Sequence, residues 1–170
     1  MILACGLRLK PVFQQIVITA LAQSHGCGGN AAPVLRKSHS FQTRRINCFA
    51  DPGFEVGPQG IAHSVYNGLT ILDELTAMHG ECVAFGTITQ LILEAAPREE
   101  LEEVMNFCHE VGLPCTLAEM GISDKDHLMQ AAKKACAPGE SIHFMPGDVT
   151  PQQLYAAMLT ADALGNQYYG

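Results

Sequence analysis

A chain of 170 residues, 48% of them apolar and only 6% aromatic, is long enough for one domain with a real core. Its net charge of −7 at neutral pH argues against a nucleic-acid partner, because phosphate backbones are held by clustered lysine and arginine. No apolar run approaches the ~20 residues that cross a bilayer, so no membrane partner is expected either.

The charge is unevenly spread. From Met1 to Pro52, Arg8, Lys10, Arg36, Lys37, Arg44 and Arg45 face one acid, Asp51, whereas the remainder holds four bases and sixteen acids. Such a break marks a boundary near Pro52. Residues 1–52 are read as an irregular or disordered segment, and residues 53–170 as one helical domain. Within the first segment, residues 11–22 suit either a strand or a short helix. Arg8 and Lys10 ahead of the apolar run 16–22 loosely imitate a secretory signal, but Pro11, Gln14 and Gln15 interrupt it, and a cytoplasmic chain is expected. The run HGCGGN (residues 25–30) is glycine-rich but lacks both the GxGxxG spacing and a following helical pattern, and is read as a loop. Seven cysteines without a CxxC pair are an odd set, better suited to reduced thiols packed as small hydrophobes than to a disulfide framework.

From Gly53 onward the apolar residues recur at helical spacing. Ile61, Val65, Leu69 and Leu72 form one stripe, and Ala84, Ile88, Leu91, Ile92 and Ala95 a second. Leu101, Val104, Met105 and Cys108 form a third, Leu128, Ala131, Ala132 and Ala135 a fourth, and Leu154, Met158, Ala161 and Leu164 a fifth. Pro97 with Glu99 and Glu100 suits a helix start, and Gly112 with Pro114 a stop. Ser123-Asp124 can cap the next helix, and Pro138-Gly139 follow its end. Thr150, Pro151 and Gln153 combine an N-cap threonine, a first-turn proline and a capping-box glutamine. No alternating strand pattern interrupts this series. The domain is predicted to be all-α, a bundle of about five helices.

Two local patterns stand out. On the first helix His63, Tyr66, Asn67 and Thr70 lie opposite the apolar stripe, a polar face without a charged side chain. It suits either the lining of a cleft or an ordinary helix exterior. His79 then opens a strongly apolar helix, where the positive end of the macrodipole keeps an imidazole neutral and suited to a metal, although taken alone a histidine there is more often an ordinary loop residue. Sixteen residues separate the two histidines, a spacing that permits a shared site without specifying one. HExxH is absent.

Whole blocks of the chain carry a resemblance. GFEVGPQGIAHSVYNGLT (53–70), HGECVAFGTITQLILEAAP (79–97), HEVGLPCTLAEMGI (109–122) and ESIHFMPGDVTPQQLYAAMLTADALG (140–165) closely resemble glycerol dehydrogenases of the iron-containing alcohol dehydrogenase superfamily. The resemblance covers Gly53 to the end, in the family's order, and implies the C-terminal helical half of such an enzyme. It implies NAD-dependent oxidation of glycerol to dihydroxyacetone, with a divalent cation, Zn2+ or Fe2+, held by one aspartate and two histidines. The two histidines match His63 and His79, which would also meet the substrate hydroxyl. Tyr66 stands where close relatives often carry a further histidine. No residue matches the family's aspartate, since Asp51 lies outside its motif, and no glycine-rich phosphate loop for NAD is present. The resemblance therefore implies an incomplete ligand set, an absent cofactor-binding half and little activity from the chain alone. The alternative is a non-catalytic helical module for self-association or for binding a full-length relative.

Overall fold

The computed structural model describes residues 60–144 and 147–170. The readings for residues 1–52, the boundary near Pro52, the glycine-rich loop and three of the seven cysteines fall outside these residues.

The described chain is helical throughout and contains no strand. Five α-helices follow in order: α1 (Gly60–Leu69), α2 (His79–Leu93), α3 (Arg98–Glu110), α4 (Lys125–Ala135) and α5 (Pro151–Tyr169). Short 3-10 turns occupy Ala118–Met120 and Ser141–Phe144. The local signals explain most boundaries. Asp124 caps α4 by accepting the Asp126 amide at 2.7 Å. Thr150 and Gln153 form the reciprocal capping box of α5, with Pro151 as its first residue. Pro97 takes the N-cap of α3 and not its first turn. One expected core position differs. Ala95 is exposed and left-handed, at φ 49°, because α2 ends there and the Ala96 amide folds back onto the Leu91 carbonyl.

α2 is the centre of the fold. Every residue from Cys82 to Leu91 is buried, so the helix presents core on all sides and packs against α1, α3 and α5. Its buried hydroxyls are satisfied within the helix, Thr87 on the Val83 carbonyl at 2.9 Å and Thr89 on the Phe85 carbonyl at 3.1 Å. Around it α1 also packs on α4, and α4 on α5. Cys82, Cys108 and Cys115 are free and buried, and burial pushes the thiols of Cys82 and Cys115 up to about 12. They are protonated packing groups, as expected for reduced cysteines.

A polar seam fixes the outer face of α1. The fully buried Ser64 hydroxyl accepts the Ile142 amide at 2.9 Å and meets the Ser141 hydroxyl at 3.1 Å, which itself donates to the Gly60 carbonyl at 2.8 Å. One turn on, Asn67 donates to Glu140 at 2.8 Å, and Lys134 of α4 reaches the other Glu140 oxygen at 2.9 Å. The Glu140 side chain is only 13% exposed. Burial alone would raise its pKa, but the Asn67 bond, the Lys134 bond and charge, and the His143 charge together hold it below the usual 4.5.

The sign of the stability effect follows. A carboxylate with a depressed folded pKa stabilises the fold above its unfolded pKa, and that contribution is lost as pH falls through the folded value. Wild-type stability should therefore decline as pH drops below about 4.5. Glu140→Gln should be less stable at neutral pH and show a flatter decline over that window. Urea unfolding at a series of pH values measures both. Identical slopes for the two proteins would show that Glu140 does not contribute.

Candidate functional site

The site is built where α1 and the start of α2 meet. Gly86 of α2 lies against the Ala62 backbone of α1, and a Cβ built on Gly86 would stand 2.6 Å from the Ala62 carbonyl oxygen. Only a residue without a side chain permits this approach. On the other side of α1, Gly68 lies against the Ala131 backbone of α4 in the same manner. The close crossings set α1 beside α2, and His63, next to Ala62, is carried toward the first residue of α2.

That residue is His79. The two imidazole ring centres lie 5.7 Å apart, edge to face, and both side chains are partly exposed. Tyr66, one turn after His63, lays its ring against His79 at 4.2 Å. Burial, and secondarily the charge of His63, lower the His79 pKa from the usual 6.5. The ring is consequently neutral at neutral pH, the form that offers a lone pair to a metal.

The polar face of α1 divides. His63 and Tyr66 join His79, whereas Asn67 is taken by Glu140 and Thr70 is exposed, its hydroxyl turned back onto the Asn67 carbonyl at 2.8 Å. The periodicity placed all four on one face but did not show which of them a later segment would claim. The Gly86–Ala62 contact has one local signal in the sequence, a glycine inside an otherwise apolar run.

Two imidazoles on one zinc, at Zn–N ~2.0–2.1 Å and a tetrahedral angle, place their ring centres about 5 Å apart. The observed separation is 5.7 Å. By separation, the pair is within reach of two donor positions around one ion. It does not fit a complete ligand set, since no group of three or more histidine, cysteine, aspartate or glutamate side chains among the described residues could hold an ion. The acid nearest in sequence, Glu81, uses its carboxylate to accept the Met78 amide at 2.7 Å at the start of α2.

Comparison with known proteins finds relatives for the C-terminal part of the chain. No family model matches the chain. Glycerol dehydrogenase of Citrobacter freundii is 54% identical over 119 residues, 68% of this chain and 33% of the relative. The Pseudomonas putida glycerol dehydrogenase is 50% identical over 119 residues, with the same shares. The C-terminal part of this chain is related to the glycerol dehydrogenases. A crystal structure of a probable glycerol dehydrogenase from Sinorhizobium meliloti superposes with a TM-score of 0.62 at 39% identity, over 65% of this chain and 32% of that one. The helical bundle is therefore shared with glycerol dehydrogenases, and the chain spans about a third of the length of the curated relatives it matches. Among the described residues no helix is long and apolar enough to cross a membrane.

Proposed function

We propose that this chain is the metal-carrying helical part of an NAD-dependent, glycerol-dehydrogenase-like oxidoreductase, with His63 and His79 as its metal donors. The convergence of the two rings at 5.7 Å, between helices whose sequence is about half identical to named glycerol dehydrogenases, carries this reading. The chemistry of the donors supports Zn2+, with Fe2+ as the alternative, because imidazole suits both. When bound, such a cation lowers the pKa of an alcohol hydroxyl, the preparation for hydride loss to a nicotinamide.

The chain's own contribution is to hold neutral nitrogen donors in place. Tyr66 restricts the His79 ring, and the Gly86–Ala62 contact restricts the separation of the helices that carry the rings. A small polyol would approach from the exposed side of the pair. Hydride acceptance needs a bound NAD, which the resemblance assigns to a half that residues 53–170 do not match. The isolated chain is accordingly expected to bind zinc while oxidising glycerol negligibly, and to act in the cytoplasm.

Two measurements on the full chain test this. Isothermal titration with zinc should give saturable binding that His63→Ala and His79→Ala each weaken at least about tenfold, as loss of half a donor set requires. Following NADH formation with glycerol, NAD and zinc should show no turnover above a protein-free control. Undiminished zinc binding by both variants would remove the site, and robust turnover by this chain alone would overturn its assignment as one part of the enzyme.

A further inference from the structure

The start of α2 is held from a distant part of the chain. In the connection between α1 and α2, the Thr76 amide at 3.0 Å and the Thr76 hydroxyl at 3.2 Å donate to one acceptor, the Met120 carbonyl. Met120 ends the 3-10 turn Ala118–Met120. Gly121 follows in the left-handed region, at φ 85°, and lies against the same connection. A Cβ built on it would stand 2.6 Å from the Glu74 carbonyl oxygen and 2.9 Å from the Thr76 hydroxyl. Conformation and approach both require glycine there.

The two sides of this contact are held unequally. Met120 is fully buried, the Leu117 amide donates to Asp162 of α5 at 2.8 Å, and Glu119 accepts the Cys115 and Thr116 amides. In the connection, Asp73, Thr76 and Met78 are exposed. A forced separation therefore displaces the connection and not the turn. His79 comes three residues after Thr76, in the first turn of α2, where backbone amides have no partner inside the helix. The Glu81 carboxylate caps this turn through the Met78 amide at 2.7 Å, whereas from Cys82 to Leu91 burial fixes the helix on all sides. The first turn is the part that yields.

We infer that Thr76 and Gly121 are positioning residues, whose contact sets the His79 ring against Tyr66 at 4.2 Å and beside His63 at 5.7 Å. The value of that placement to chemistry rests on the reading of His79 as a donor. The placement itself belongs to the metal-free chain.

Proton NMR of the full chain without metal tests the inference. Wild type should show NOE cross-peaks between the Tyr66 and His79 rings, and Gly121→Ala should lose them. Gly112→Ala is the control, because Gly112 is also left-handed, at φ 76°, but an added Cβ meets nothing within 4 Å. It carries the backbone strain without pushing the connection, and should keep the cross-peaks. Thr76→Val removes the hydroxyl bond at nearly constant size and should lose them in part, while Thr76→Ser should restore them. The Thr76 pair decides the matter if Gly121→Ala misfolds. Undiminished cross-peaks in folded Gly121→Ala or in Thr76→Val, or an equal loss in Gly112→Ala, overturn the inference. A zinc titration without binding, beside the expected cross-peaks, overturns His79 as a donor and not the contact that places it.

Discussion

Replacing Gly86 by valine should lower the stability of the domain and weaken zinc binding in the same protein. The new Cβ would meet three backbone atoms of Ala62, its carbonyl oxygen at 2.6 Å, its Cα at 2.8 Å and its carbonyl carbon at 3.1 Å. Backbone atoms cannot rotate out of the way, so α1 must move off α2. Overpacking of this kind costs about 1–3 kcal/mol. Removing a helical glycine returns less than about 1 kcal/mol, and the β-branch of valine reduces that further. The clash therefore wins. Because His63 follows Ala62 directly, the same movement widens the 5.7 Å ring separation. Urea unfolding should show a lower midpoint at an unchanged m value, alongside weaker zinc binding in the titration above. A midpoint equal to or above wild type would show that the two helices do not depend on this contact.

Gly165→Ala should destabilise the fold by a similar amount while leaving zinc binding intact at temperatures where the variant is folded. Gly165 lies in α5 against the Cys115 carbonyl, with the Cys115 carbonyl carbon and the Thr116 methyl each 2.8 Å from the position of an added Cβ. That strand of backbone cannot retreat. Glu119 accepts the Cys115 amide at 2.7 Å and the Thr116 amide at 2.9 Å, and Asp162 of α5 itself accepts the Leu117 amide at 2.8 Å. A loss of about 1–3 kcal/mol from a total of roughly 5–15 kcal/mol should lower the melting temperature by several degrees or more. Thermal unfolding followed by circular dichroism measures it. A melting temperature equal to that of wild type would mean that α5 slides along its neighbour at no cost. Contrasting the two variants separates damage to the bundle from damage to the site, since Gly165 is on α5 and the histidines are on α1 and α2.

Local information made the helices legible. The stripes Ile61-Val65-Leu69 and Leu128-Ala131-Ala132-Ala135 are buried throughout, and Asp124 and Thr150 cap where their neighbours in sequence said they would. These features depend on residues three or four apart, which any reader of the chain can see. Ala95 leaves its stripe because helical spacing continues past the point where the backbone turns. Ser64 and Asn67 were legible as polar positions, but not as the anchors for Ile142 and Glu140, residues more than 70 positions away.

The same division applies to the site. His63 and His79 were picked out by their odd placement on helices and by resemblance to glycerol dehydrogenases; periodicity alone left their relation open. By itself, then, the sequence determined five helices and the caps of α4 and α5, because these follow from spacing along a helix or from chemistry within one turn, while the two candidate donors needed the resemblance as well. The tertiary structure alone decided that the rings meet, that Tyr66 and not Asn67 joins them, and that Glu81 is already engaged. The physical reason is the close crossing at Gly86 and Ala62: the distance between two helices is set by the smallest residues at their contact, which lie elsewhere in the chain from the groups they bring together.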